Sequence, residues 1–394
     1  MNIQKLDSYE RLFFHTQICV CSPKHASTKK GMVINMQKKL FSTIIYISIL
    51  VLILSGCKNK EVSVDNEESS TPVASALPTL PPNASSTPVP SEESTGKILQ
   101  GSMEFEGYVR TYEYYLPSTY NSKTPIPAIL CFHGLGSNAY GQQLLTGFNQ
   151  VAEEKGFIVI YPESTFIDTD ETTDDGSDFS WGKQWNAGYE NLQFTAGVDD
   201  VGFISSLIDK LTTELNLDEK RIYATGASNG AVFTQLLALE LSDKIAAVAS
   251  VIGALAEAPS KEVKPLRPIS VLLIMSDTDP IMPFDGLPDT FLSADQTVSY
   301  WIKQNKISTT CESSYLPQTV EGDSTKIKCD KYVGGEYDTS VVFYTVEGGG
   351  HTWPGGLAYA SEAEVGKVSY QINASQVIWE FFKDITLPDF SSNK

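Results

Sequence analysis

Ser228 lies in the stretch RIYATGASNGAVF, Arg221 to Phe233, where β-branched and aromatic residues give way to Gly-x-Ser-x-Gly and then to an apolar run. A buried strand that turns directly into a helix forces an unfavourable backbone conformation on the residue at the corner. The small neighbours Gly226 and Gly230 let strand and helix approach closely. The serine hydroxyl then projects into the open, and the next backbone N–H, that of Asn229, faces any oxyanion formed beside it. The same five residues also fit a tight strand-to-helix connection with an inert serine.

A serine needs a base to become nucleophilic. The chain has four histidines, His15, His25, His133 and His351. The first two precede the expected cleavage site described below, which leaves His133 and His351. His133 directly follows an apolar strand in CFHGLGSN, and its ring reads as a packing and hydrogen-bonding piece. His351 lies in VEGGGHTWPGG, a mobile glycine-rich loop after the last long apolar strand, where the order Ser…Asp…His places its base. The acid must lie between them. The stretch VLLIMSDTDPIMPFDG offers Asp277, Asp279 and Asp285. Asp279, just past the strand and before Pro280, is the first choice to orient the imidazole. Asp277 is second, and Asp285 reads as an ordinary turn carboxylate. Trp185 and Trp353 are expected to wall a cleft that binds substrate together with His133, with plain core packing as the alternative. Asp199 and Asp200 read as a helix cap.

The elements that must position these residues alternate. Strands are expected at 108–117, 126–134, 156–162, 221–226, 269–276 and 339–348, and helices at 141–155, 199–215, 231–241, 293–304 and 374–385. Strands that are apolar on both faces and separated by helices predict an α/β domain with a mostly parallel sheet covered on both sides. Chemistry in such sheets gathers at the carboxyl ends of the strands. Residues 163–198 form a long acidic and aromatic excursion, of which Trp181 and Trp185 are expected to pack.

The 394 residues carry a net charge of −19. Such a polyanion does not suit nucleic acid, where Lys and Arg must displace counterions, nor an anionic membrane surface by charge alone. Met36-Gln37-Lys38-Lys39, an uncharged run from Leu40 to Leu54, and Leu54-Ser55-Gly56-Cys57 have the plan of an export signal. The run is short of the roughly 20 residues of a membrane span, which is the alternative reading. With Cys57 at the cut, the pattern resembles the lipobox of bacterial lipoproteins, in which the cysteine is lipidated. Residues 1–35 are then expected to be untranslated, with Met36 as the true start, or to be removed. Residues 58–97, rich in Ser, Thr, Pro and Glu, are expected to be a disordered tether, and 98–394 the folded domain.

Nine blocks carry a wider resemblance: RTYEYYLPSTY, PAILCFHGLGSNA, AEEKGFIVIYPES, WNAG, VDDVGFISSLID, RIYATGASNGA, DTDPIMPFDG, GGGHTWPGG and ASQVIWEFF. In this order they resemble the α/β-hydrolase group of secreted esterases that includes polyhydroxybutyrate depolymerases, feruloyl esterases and acetyl xylan esterases, over nearly all of 100–388. The resemblance implies an α/β-hydrolase fold and a serine esterase with Ser228 as nucleophile, Asp279 as acid and His351 as base. It implies an oxyanion hole from the backbone of Asn229 and of the His133-Gly134-Leu135 turn. Two departures are visible. Met275-Ser276 stand where the family often has His-Gly, and Ala231 follows Gly230 where a second glycine is common.

Cys311 and Cys329 flank a polar excursion; similar pairs occur in the family, and export permits a disulfide there. Cys131, in a buried strand, reads as an inert small hydrophobe. No cofactor or metal is expected, since no His/Cys cluster has metal spacing, and the EGGGH stretch lacks the Lys-Ser/Thr of a phosphate loop. The expected substrates are acetyl or feruloyl esters on plant polysaccharide, with a polyhydroxybutyrate depolymerase as the alternative. A non-catalytic ligand-binding lipoprotein is the alternative of another class. The chain is expected to act as an extracellular monomer that meets the membrane only through lipid at Cys57.

Overall fold

The computed structural model describes residues 96–165, 183–189, 197–308 and 310–388. The expected signal segment with Cys57, the tether up to residue 95, and Trp181 lie outside the described residues.

Ten strands form one sheet in the order β1-β2-β4-β3-β5-β6-β7-β10-β9-β8. They are β1 (Lys97–Phe105), β2 (Tyr108–Leu116), β3 (Ile126–Phe132), β4 (Ile158–Pro162), β5 (Leu217–Ala227), β6 (Ala247–Val251), β7 (Ser270–Ser276), β8 (Glu312–Tyr315), β9 (Lys326–Tyr332) and β10 (Val341–Glu347). The six from β4 to β10 in that order are parallel, and antiparallel pairs flank them on both sides. This is the α/β-hydrolase fold.

The central strands are apolar on both faces because both faces are covered. In β3, Ala128, Leu130 and Phe132 point into a core with Phe203, Leu207, Phe233 and Trp301. Ile129 and Cys131 point into a second core with Phe148, Val151, Phe157 and Phe382. Burial pushes the Cys131 thiol pKa up to about 12, which keeps it a neutral hydrophobe. Helices α3 (Asp200–Leu215), α4 (Asn229–Glu240) and α6 (Ala294–Gln304) contribute to the first core. Helices α1 (Ala139–Thr146), α2 (Phe148–Lys155) and α8 (Ala374–Phe382) contribute to the second. Two short helices, α5 (Glu257–Glu262) and α7 (Glu362–Val365), sit in connections.

The helix expected over 141–155 is two helices. Gly147 adopts φ +62°, and its N–H closes the end of α1 on the Gln143 carbonyl. This is the left-handed cap that glycine supplies at helix ends. The hairpin β1–β2, expected only in its second strand, turns through Glu106 (φ +49°) and Gly107 (φ +82°), with Phe105 opposite Tyr108. A two-residue loop with both φ positive matches the twist of the strands it joins.

The expected bridge between Cys311 and Cys329 is absent, and both are free thiols. Sheet register is the reason. Ser314 lies opposite Cys329 and Glu312 opposite Lys331, so Cys311 comes level with Tyr332. The two cysteines are offset by three positions, about 10 Å along the strand, against a disulfide limit near 7 Å between Cα atoms.

One buried ion pair ties the first long helix to the sheet. Arg110 Nη2 donates to Asp200 Oδ1 (2.7 Å) and to the Glu163 carbonyl (3.2 Å). Its guanidinium lies 3.9 Å from the centre of the Phe203 ring. The other Asp200 oxygen accepts from Asn186 N–H (2.8 Å), which anchors the returning end of the 163–198 excursion. Asp199 is the helix cap, accepting from Gly202 N–H; Asp200, expected to share that role, serves the pair instead. Burial raises the Asp200 pKa and lowers that of Arg110, so desolvation outweighs the attraction on both partners. The pair therefore serves position more than stability. Arg110→Met strands a buried carboxylate and is expected to cost about 3–5 kcal/mol in urea unfolding. The double change Arg110→Met with Asp200→Leu is expected to cost distinctly less. An equal loss in both would contradict this account of the pair.

Candidate active site

Strand β5 ends at Ala227 and α4 begins at Asn229, so Ser228 alone makes the corner. Its φ of +55° and ψ of −122° lie where an L-residue is strained. Strain at this corner is what an elbow requires and what an inert connection would avoid. The glycines around it are set by contact. A Cβ on Gly226 would sit 2.4 Å from the Gly230 carbonyl oxygen, and one on Gly230 would sit 2.4 Å and 2.5 Å from the Phe132 and His133 oxygens. These neighbours are backbone and cannot step aside. Gly230→Ala is accordingly expected to cost about 3 kcal/mol or more, at the upper end of overpacking, as read by urea unfolding. A loss below about 1 kcal/mol would contradict the close approach.

The N–H groups of Asn229 and Leu135 have no acceptor among the described residues. Asn229 N–H is at the positive end of α4. Its side chain faces the other way and holds the returning excursion: Oδ1 accepts from Trp185 N–H (2.7 Å), and Nδ2 donates to the Trp185 carbonyl (3.2 Å) and the Tyr189 hydroxyl (2.8 Å). Leu135 is in a turn closed by Ser137 N–H on the Gly134 carbonyl (3.2 Å), with Gly136 at φ +72°. A Cβ on Gly134 would lie 3.4 Å from Ser228 Cβ, so this turn abuts the corner serine.

Asp279 and His351 follow the carboxyl ends of β7 and β10, neighbours in the sheet and two and three places from β5. His351 Nδ1 and Asp279 Oδ2 are 2.7 Å apart and buried. The other Asp279 oxygen accepts from Ile281 and Met282 N–H, both at 2.8 Å, which fixes the carboxylate plane. Asp277, the second choice, is exposed and accepts from Gly348 N–H (2.7 Å). Asp285 is exposed in a turn. The glycine-rich loop, expected to be mobile, is braced. His351 N–H donates to the Val365 carbonyl (2.6 Å), Thr278 Oγ1 to the Gly349 carbonyl (2.7 Å), and the Tyr359 hydroxyl to the His351 carbonyl (2.7 Å). The glycines are needed because a Cβ on Gly350 would meet the Val365 oxygen at 2.1 Å.

The structure thus joins His351 to Asp279 and puts Ser228 at the same sheet edge. Ser228 Oγ and His351 Nε2 have no hydrogen-bond partner among the described residues, and no hydrogen bond joins them to each other. Links of this kind often tighten only when substrate is bound.

Three expected substrate contacts are corrected. His133, Trp185 and Trp353 are each fully buried. Trp185 stacks on Phe233 (4.9 Å between centres), and its Nε1 donates to the His133 carbonyl (3.1 Å). Trp353 meets Phe148 edge-on and donates to Ser375 Oγ (3.1 Å). The His133 ring is hydrogen-bonded to backbone partners described below and packs on Trp185, while the Glu163 carboxylate stands 3.7 Å from Nε2, beyond hydrogen-bond reach. These aromatics support the site from beneath and offer no face to a ligand. Glu163, just past β4, went unread in the sequence. Its Oε1 accepts from Ala139 N–H (2.8 Å), and its Oε2 is 3.3 Å from Lys183 Nζ, so it ties the excursion to the start of α1. The available signal was an acid directly after a buried strand.

The chain is similar to known proteins. A family model described as Esterase PHB depolymerase matches residues 110–289. NocK of Nocardia uniformis subsp. tsuyamanensis, named as an esterase, is 30% identical over 270 residues, 65% of this chain and 73% of that protein. Feruloyl esterase B of Piromyces equi is 25% identical over 69% of this chain and 44% of its own length. The bifunctional acetylxylan esterase/xylanase XynS20E of Neocallimastix patriciarum is 28% identical over 45% of this chain and 22% of its own length. The chain therefore spans less than half of these last two. Among solved structures, an acetyl xylan esterase from Aspergillus awamori aligns with a TM-score of 0.46 and 15% identity, covering 65% of this chain and 94% of that one. With the likeness to NocK covering most of both proteins, and the family match running through the corner serine, the chain belongs to the Esterase PHB depolymerase family of carboxylic ester hydrolases.

Proposed function

We propose that the chain is a serine esterase that works through an acyl-enzyme on acetyl or feruloyl esters of plant polysaccharide. The observation that carries the mechanism is the strained Ser228 at the same sheet edge as the hydrogen-bonded His351–Asp279 pair. Ser228 Oγ attacks the ester carbonyl as His351 Nε2 takes its proton. The negative charge moves onto the carbonyl oxygen, where Asn229 and Leu135 N–H receive it. Collapse breaks the bond to the alcohol, which leaves with the proton from His351. Water then attacks the acyl-serine by the same route, releasing the acid and restoring Ser228. Asp279 holds the imidazole with Nδ1–H and stabilises its protonated form.

The choice of acyl group is supported by the names of the relatives, among them feruloyl and acetylxylan esterases. A polyester depolymerase is the second reading, favoured by the family's description. The apolar run and Leu54-Ser55-Gly56-Cys57 support a bacterial lipoprotein held at the outer face of the cytoplasmic membrane. Cys57→Ala, expressed in a bacterium, then moves the protein from the membrane fraction to a soluble one; unchanged membrane retention would sink the anchor.

The substrate reading is tested by hydrolysis with the full chain of p-nitrophenyl acetate, methyl ferulate, acetylated xylan and a hydroxybutyrate oligomer. Turnover of acetylated xylan or methyl ferulate above the oligomer is expected. Preference for the oligomer would move the assignment to a depolymerase. No turnover of any ester by folded protein would leave a ligand-binding lipoprotein.

A further inference from the structure

The buried ring of His133 stands outside the mechanism above, yet both of its nitrogens are committed. Nε2 is 3.2 Å from Ser164 N–H, which can only donate, so Nε2 is the acceptor and carries no proton. The proton is therefore on Nδ1, which lies 2.8 Å from the Gly134 carbonyl oxygen and donates to it. Burial pushes the His133 pKa down and keeps the ring neutral, so this tautomer is retained.

The consequence passes through one peptide bond. The unit joining Gly134 to Leu135 is planar and trans, so its C=O and N–H point in opposite directions. Two donors, His133 Nδ1–H and Ser137 N–H, hold the Gly134 oxygen on one side. Leu135 N–H must then face the other side, where it has no acceptor among the described residues. Glycine at 134 leaves this peptide free to rotate unless it is held. The turn is also fixed from behind by Gly136 N–H on the Lys183 carbonyl (2.9 Å).

We propose that His133 is a positioning residue: by donating from Nδ1 to the Gly134 carbonyl, it aims Leu135 N–H at the oxyanion that forms beside Ser228. The inference rests on the serine esterase reading. It gives His133 no contact with substrate, which agrees with its full burial.

Two variants separate the two nitrogens. Asparagine places an amide N–H where Nδ1 stands, and glutamine places its amide where Nε2 stands. His133→Gln keeps an acceptor for Ser164 N–H and loses the donor to Gly134. It is expected to lower kcat about ten- to a hundredfold, part of the hundred- to thousandfold effect of losing a whole oxyanion donor, with KM nearly unchanged. Binding of a trifluoromethyl ketone analogue should weaken by a similar factor. His133→Asn is expected to recover most of kcat. Wild-type His133→Gln kinetics, or equal loss in both variants with a parallel fall in Tm, would overturn the proposal and leave His133 a packing residue. Nitrogen NMR of the wild-type ring needs no variant: an Nδ1–H tautomer is expected, and an Nε2–H tautomer would overturn it even if both variants fail to fold. Wild type and Ser228→Ala run alongside. An inactive wild type, or an active Ser228→Ala, sinks the esterase reading itself; full activity in His133→Gln with a dead Ser228→Ala sinks only this inference.

Discussion

Ser228→Ala is expected to lower kcat/KM by about a hundred-thousand-fold or more, the scale seen when a triad nucleophile is removed. The loss should fall on kcat, because the acyl-enzyme forms on Ser228, while KM changes little. The same residue carries a second expectation of opposite sign. At φ +55° and ψ −122° its backbone is in a region that glycine enters freely. Ser228→Gly is therefore expected to be inactive and yet more stable than wild type by about 1–2 kcal/mol, the strain that a non-glycine residue stores there. Alanine keeps the strain and should gain little. Parallel urea unfolding of the three proteins reads this directly. A glycine variant less stable than wild type would contradict strain at the corner; residual turnover in either variant near the wild-type level would contradict the nucleophile.

The second large effect is Asp279→Asn. One Asp279 oxygen accepts from two backbone N–H groups and the other faces His351 Nδ1. An asparagine fills the same space, but the backbone donors take its carbonyl oxygen and leave its NH2 facing the ring. The imidazole must then present a bare Nδ1 and carry its proton on Nε2, where it cannot accept from Ser228. A loss of about a thousand- to ten-thousandfold in kcat at neutral pH is expected. Asp277→Asn is the control. Asp277 is exposed and its carboxylate accepts from the Gly348 backbone, so its loss should stay near the roughly 0.5 kcal/mol of an ordinary surface change. If Asp277→Asn were the more damaging variant, the acid would have been misassigned between two neighbours in one turn.

Much of this geometry could be read in advance for a simple reason. A strand buried on both faces shows as a largely apolar run, and β3, β4, β7, the second half of β5 and much of β10 are such runs. Once their ends are located, Ser228, Asp279 and His351 fall at the carboxyl edge by position alone. Other features had no local signal. Strand β6, AVASV, is too short and alanine-rich to stand out, and the exposed β1 and β8 rely on a neighbour's hydrogen bonds rather than on their own apolar pattern. Direction of a side chain was the harder problem. Trp353 sits two residues after His351 and Trp185 in the excursion before Ser228, but both point into the two cores, where Phe148 and Phe233 receive them. Cys311 and Cys329 bracket an excursion, and only the register of β8 against β9 shows that they miss each other. The orienting partners of the site, Asn229 Nδ2 to Trp185 and His133 to Gly134, are made to backbone atoms, which composition cannot reveal.

The most direct measurement is the site of covalent capture. The full chain is mixed with a fluorophosphonate and with a slowly deacylating p-nitrophenyl ester, quenched in acid, digested and read by mass spectrometry. One adduct per chain, on Ser228, lost in Ser228→Ala and greatly slowed in His351→Ala, is the predicted result. An adduct on another residue, one that persists in Ser228→Ala, or no capture by a folded protein that still hydrolyses esters would contradict the acyl-enzyme at Ser228.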